Sequence, residues 1–151
     1  PSLSYVTINA FMAADALIVP LPPNALDFAS SAQFWRLFSD LASNLVENAG
    51  ITKTFDFIHV LLARVDSADV ASDVVRSWII ATYGEKVLPV EIPKTAVTSS
   101  SSAEFGTVYD ISRYDGSMKT YSRARDAYDR VNDLVEVAIR NSWTSQLGEG
   151  V

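Results

Sequence analysis

Two short apolar runs, neither alternating with polar residues and separated by a long stretch of helical period, constrain this chain more than any other feature. The first is Ala16-Leu17-Ile18-Val19-Pro20-Leu21, ended by Pro22-Pro23. The second occupies residues 55–65, Phe-Asp-Phe-Ile-His-Val-Leu-Leu-Ala-Arg-Val. A strand that is apolar on both sides must be covered on both sides, which is how interior strands of parallel sheets read. Between the runs Phe28, Ala32, Trp35, Phe38, Ala42, Leu45 and Ala49 recur every three or four residues. They mark a helix opened by Asp27 and capped by Gly50. The stripe is wide, so this helix packs on something broad. Strand, long helix, strand is the signature of a parallel pair joined by a crossover.

The rest of the chain continues the alternation. Residues 3–14 read as a short helix with Leu3, Val6, Ala10 and Ala13 at helical spacing. A third helix is expected over 69–83, with Val70, Val74, Trp78 and Ile79 inward and Gly84 at its end. Residues 86–92 form a further strand, whose internal Pro89 implies an edge position or an irregular ladder. The serine-rich 93–106 is a loop or a short, weak helix, a brief strand is expected at 107–111, and a closing helix over 120–145 turns Ala124, Ala127, Val131 and Leu134 inward. The fold class is α/β, a partial parallel sheet flanked by helices. At 151 residues it is one domain, residues 1–151.

Composition narrows the chemistry. There is no cysteine, which removes disulfides, thiolate metal sites and iron–sulfur clusters. The single His59, flanked by Ile58 and Val60, reads as a hydrogen-bonded core residue, and no metal site is placed in the chain. No apolar run approaches the roughly 20 residues that cross a bilayer. No basic-then-apolar leader is present, so a cytoplasmic location is expected. A formal net charge of −6 argues against a surface that coats nucleic acid everywhere. The acid excess lies mostly in residues 1–93, however, and Arg113, Lys119, Arg123 and Arg125 cluster with Asp115 as the one acid among them. Lys119 and Arg123 share a helical face; Arg123 and Arg125 do not. The competing reading is a solvated helix start, with Arg125 and Arg130 paired to Asp126, Asp129 or Asp133. Trp35, Trp78 and Trp143 sit where packing is expected.

The opening segment, residues 1–21, resembles a stretch common to ParA-type partition ATPases. Thr7, Asn9, Ala10, Ala13-Ala14-Asp15, Val19-Pro20 and Pro23 match in order and spacing. Residues 86–99 look like that family's late strand and the loop after it, and residues 121–136 are similar to the closing helix of the plasmid RepA/ParA branch. The resemblance covers most of the chain. It implies a Rossmann-like three-layer fold of the deviant Walker-A P-loop NTPase superfamily, of which this chain would be the C-terminal portion. Pro1 starts flush with a helix, and the only Gly-x-Gly, Gly148-Glu149-Gly150, precedes no helix. The N-terminal half with the phosphate loop is therefore expected outside these residues, and the chain alone is expected not to hydrolyse ATP.

For the parent protein the resemblance implies ATP or ADP with Mg, a homodimer formed with ATP, non-specific DNA binding, a centromere-binding partner, and a cytoplasmic, nucleoid-associated life. Ligands of open parallel sheets sit at the C-terminal strand ends. The loops at Arg64-Val65-Asp66 and Ile92-Pro93-Lys94 are thus implied to frame adenine, with Pro93 over its face. Arg113, Lys119, Arg123 and Arg125 are implied to meet DNA phosphates, and no catalytic residue is placed in the chain. The segment from Leu21 to Ser31 around Asp27 is either a piece that moves with nucleotide state or a plain helix cap. Two other readings compete. A membrane-cycling relative of the MinD kind would end in a basic amphipathic helix, and Ser145-Gln-Leu-Gly-Glu-Gly-Val is neither. A stand-alone α/β binding or scaffold domain would have no nucleotide chemistry.

Overall fold

The computed structural model describes residues 4–111 and 114–148. Helix α1 (Tyr5–Ala13) is followed by strand β1 (Leu17–Leu21), helix α2 (Ala25–Ala49), strand β2 (Ile58–Leu62) and helix α3 (Val70–Tyr83), which ends in a single 3-10 turn, Gly84–Lys86. Helices α4 (Ala96–Ala103) and α5 (Met118–Gly148) complete the described residues. The fold is α/β. β1 and β2 run parallel, in a register from Leu17↔Ile58 to Leu21↔Leu62, with α2 as the crossover.

Local chemistry sets most of the boundaries. Ser4 accepts the Thr7 N–H and caps α1. Asn24, not Asp27, caps α2, and Gly50 closes that helix at φ 65, in the left-handed region where glycine is favoured. Asp69 caps α3. The Leu3 start expected for α1 lies outside the described residues.

The strand expected at 86–92 is present only as an irregular edge. It touches β2 and the loop after it through parallel bridges at Val60↔Val87 and Val65↔Pro93. The Leu88 N–H donates to the Val60 carbonyl and the Ile92 N–H to that of Leu62, both at 2.9 Å. Four steps on this segment thus match two on β2, so two residues around Pro89, which has no N–H to give, are extruded from the ladder. The strand expected at 107–111 does not form. Asp110 instead takes the Thr107 N–H and hydroxyl, each at 2.7 Å, and a side chain that satisfies the backbone locally competes with a ladder.

Helices cover both faces of β2. Val60 and Leu62 point into a core with Leu21, Val75 and Ile79, on which Phe28 of α2 and Tyr83 of α3 also pack. Leu61, on the opposite face, packs against Val90, Ile92, Ala127 and Val131. Fully burying a Leu or Ile side chain contributes about 1.5–3 kcal/mol, so this alternation holds three layers together. The inward face of α3 differs from expectation. Val70, Val74 and Trp78 are exposed, while Ser72, Val75 and Ile79 are buried. Trp78 lies at the margin of the core, its ring 6.2 Å from that of Phe28. The inward stripe expected of α5 is right: Ala124, Ala127 and Val131 are buried. His59 is half-buried against Phe57, ring centroids 4.9 Å apart, but its buried Nδ1 has no hydrogen-bond partner among the described residues. It packs; it is not tied.

β1 has an open side. The Leu17 N–H donates to the Phe57 carbonyl and the Leu21 carbonyl accepts from Ala63, so the odd residues face β2. Ile18 and Pro20 turn their backbone groups the other way, where no strand pairs among the described residues.

Candidate functional site

The ends of β1, of β2 and of the irregular edge converge on one cavity of about 190 Å³. β1 runs into Pro22-Pro23-Asn24. Asn24 accepts the Asp27 N–H at 2.9 Å and donates through Nδ2 to the Asp27 carboxylate, so Asp27 faces the cavity from the first turn of α2. β2 runs into Arg64, whose φ of 56° is left-handed and costs a non-glycine residue about 1–2 kcal/mol. Two residues on, the Asp66 carboxylate accepts from the Ala68 N–H at 3.1 Å and from Lys94 Nζ at 3.2 Å. These two contacts, the Ala68 N–H first, hold the Asp66 carboxyl below the usual carboxylate range. Arg64, Asp66 and Lys94 therefore meet, with Pro22, Pro23 and Asp27 opposite.

Of the five residues expected at this site, two are elsewhere. Ile92 is buried in the core with Val90 and Val131. Its carbonyl accepts from the Val65 N–H at 3.0 Å. Pro93 lines a different groove. Successive residues of an extended segment point to opposite sides, so Lys94 can face the cavity only if Pro93 does not. Sequence reasoning missed Asp69 and Ser72, which close the α3 side. The helix-cap position of Asp69 was the available signal. The cavity offers cationic donors and carboxylate acceptors, a set suited to the polar edge of a planar ring or to a ribose hydroxyl.

The basic cluster divides as well. Lys119 and Arg123 line a groove of about 920 Å³ that runs between α3 and α5 along residues 87–93. Arg76 and Arg130 line it too. Arg125 turns away. Its guanidinium lies 3.3 Å from the Tyr121 hydroxyl and 5.4 Å over the Tyr109 ring. Tyr109 in turn donates to Asp129 at 2.7 Å, which raises its pKa. Arg113 lies outside the described residues. Arg130 was legible in principle, because it falls on the helical face of Lys119 and Arg123.

No family model matches the chain. Replication protein A of Rhizobium rhizogenes is 31% identical across 95% of this chain and 35% of its own length. Chromosome partitioning protein ParA of Caulobacter vibrioides is 29% identical across 88% of this chain and 48% of its own. A solved structure described as a partition protein superposes with a TM-score of 0.54 at 16% identity, over 83% of this chain and 31% of that one. The chain belongs with the ParA-type partition proteins. The structural likeness shows the shared α/β fold. This ParA-type chain spans 35% of the first of those relatives and 48% of the second.

Proposed function

We propose that this ParA-type chain supplies the base-reading side and a DNA-contacting face of a partitioning ATPase. The observation that carries the proposal is the meeting of Arg64, Asp66 and Lys94, drawn from two different loops, in one cavity at the C-terminal end of a parallel sheet. Ligands of open α/β sheets bind there. Relatives named for chromosome partitioning and for replication support the assignment.

On this reading the parent protein binds ATP or ADP with Mg and forms a homodimer with ATP. Lys94 and Asp66 would meet the adenine edge, and Arg64 would lie toward the sugar. Among the described residues no glycine lines the cavity, so phosphates and Mg would be held by polypeptide beyond these residues. The open side of β1 is where a strand of that polypeptide would add. Lys119 and Arg123 would meet DNA phosphates without reading bases. A centromere-binding partner would then release the protein from the nucleoid. No helix among the described residues is long and apolar enough to cross a membrane.

The test uses the longer protein that contains this chain. A fluorescent ATP analogue is titrated against the native protein, Lys94→Met and Asp66→Asn. We expect about a tenfold loss in each variant, the size of one charge-assisted contact. Unchanged affinity in both would remove the base-side role. Random-sequence duplex DNA should bind with ATP and not without it; negligible binding in both states rejects the DNA reading.

A further inference from the structure

The groove between α3 and α5 has more floor than a DNA backbone can use. Ile80, Val87 and Pro89 form an apolar base, with Ile80 40% exposed. Lys119, Arg123 and Arg130 stand along the α5 side, and none of the three is in an ion pair among the described residues. Asp126 is the one acid of α5 that lines the groove with them, while Arg76 on the opposite wall is already bound to Glu91. A duplex presents phosphates on a convex surface, so it would touch the cationic rim and leave the floor in water.

We propose that this groove docks an acidic amphipathic helix of a partner protein. Apolar side chains of that helix would cover Ile80 and Pro89, and its carboxylates would pair with Lys119, Arg123 and Arg130. Two features favour a helix over an added strand. Pro89 and the residue extruded with it break the edge ladder, so an extended peptide finds no regular row of backbone partners. The cationic row from Lys119 to Arg130 spans roughly 16 Å of helix at 1.5 Å per residue, the length of about three turns. DNA would use Lys119 and Arg123 of the same row, so the partner helix and the duplex compete. The proposal does not depend on nucleotide binding.

A dye-labelled synthetic helix of about 12 residues, long enough for those three turns, carries Leu at i, i+3, i+4 and i+7 and Glu elsewhere. It is titrated by fluorescence anisotropy into the longer protein that contains this chain. Saturable binding is expected, weakened about tenfold by Ile80→Ser and by the pair Arg123→Glu and Arg130→Glu. Replacing the peptide's Leu by Ser should weaken it similarly, and random duplex DNA should displace it at low salt. All three protein positions are exposed, and a thermal melt of each variant checks that it is folded. The proposal is overturned if the Leu-to-Ser peptide binds equally well, if Ile80→Ser has no effect while the melt is unchanged, or if duplex DNA binds and the peptide does not. In that last case the DNA reading stands and this one alone fails.

Discussion

Pro93 and Lys94 are neighbours in sequence, yet they serve two regions of opposite character. Lys94 closes a cavity of about 190 Å³ in which Asp66 and Asp27 are fixed by contacts to nearby side chains and backbone. Pro93 borders a groove of about 920 Å³ whose cations on α5 have no ionic partners among the described residues. In the cavity, polar groups are held in place before any ligand arrives, which favours a small ligand of fixed shape. In the groove, charge is left mobile and wet, which favours an extended anionic partner and makes its binding sensitive to salt.

The largest effect should come from the strand that both regions share. Leu62 is 1% exposed and lies in the core from which both strand-end loops depart. Leu62→Ala should cost about 2–5 kcal/mol in a denaturant melt, and both regions should lose their ligands together. Retention of one ligand at full affinity in a destabilised protein would show that the two do not share a scaffold. Next in size, the pair Arg123→Glu and Arg130→Glu should weaken DNA binding at least tenfold and lower its salt slope by roughly one for each cation removed. The ATP analogue should bind that variant normally. A matching loss at the cavity would erase the distinction.

Arg64 sharpens the comparison from the cavity side. Its left-handed φ is a conformation glycine adopts freely, so Arg64→Gly should stabilise the chain by up to about 1 kcal/mol by thermal melt. The same change should weaken the ATP analogue, because it deletes a donor from the cavity. Gain in stability with loss of ligand is the expected pattern for strain kept at a binding residue. A variant that is both less stable and unchanged in binding would make Arg64 an ordinary turn residue.

The sequence carried some of this geometry and hid the rest for physical reasons. Gly50 and Pro89 act within a few residues of themselves, and both did what their backbone chemistry requires. The inward face of α3 was hidden because Val70, Val74, Val75, Trp78, Ile79 and Ile80 populate two overlapping faces. Period alone cannot choose between them, and the choice is made by how the helix sits on β2. The split between Pro93 and Lys94 depends on the register that the edge regains beside Val65 after the Pro89 irregularity, and that register is invisible in the sequence. Arg125 leaves the row of Lys119 and Arg123 because the packing of the 107–110 turn on α5 sets the Tyr109 ring beside it, a contact that sequence spacing does not show.

The smallest effect is the most local, and it separates the two holds on Asp66. Its carboxyl is depressed first by the Ala68 N–H and then by Lys94. A carboxylate with a lowered folded pKa contributes stability that is present above its unfolded pKa and lost as pH falls through the folded one. Acid should therefore loosen the cavity below the ordinary carboxylate range, while the groove keeps its lysine and arginine charges. Because Asp66 is solvent-accessible, the change in overall stability should be slight, and the carboxyl carbon followed by NMR titration is the better readout. Lys94→Met should raise the Asp66 midpoint only part of the way, since the turn through Ala68 remains. A full return to the ordinary value would make Lys94 the main hold, and the cavity would then be shaped by a long-range pair rather than by the loop that carries Arg64.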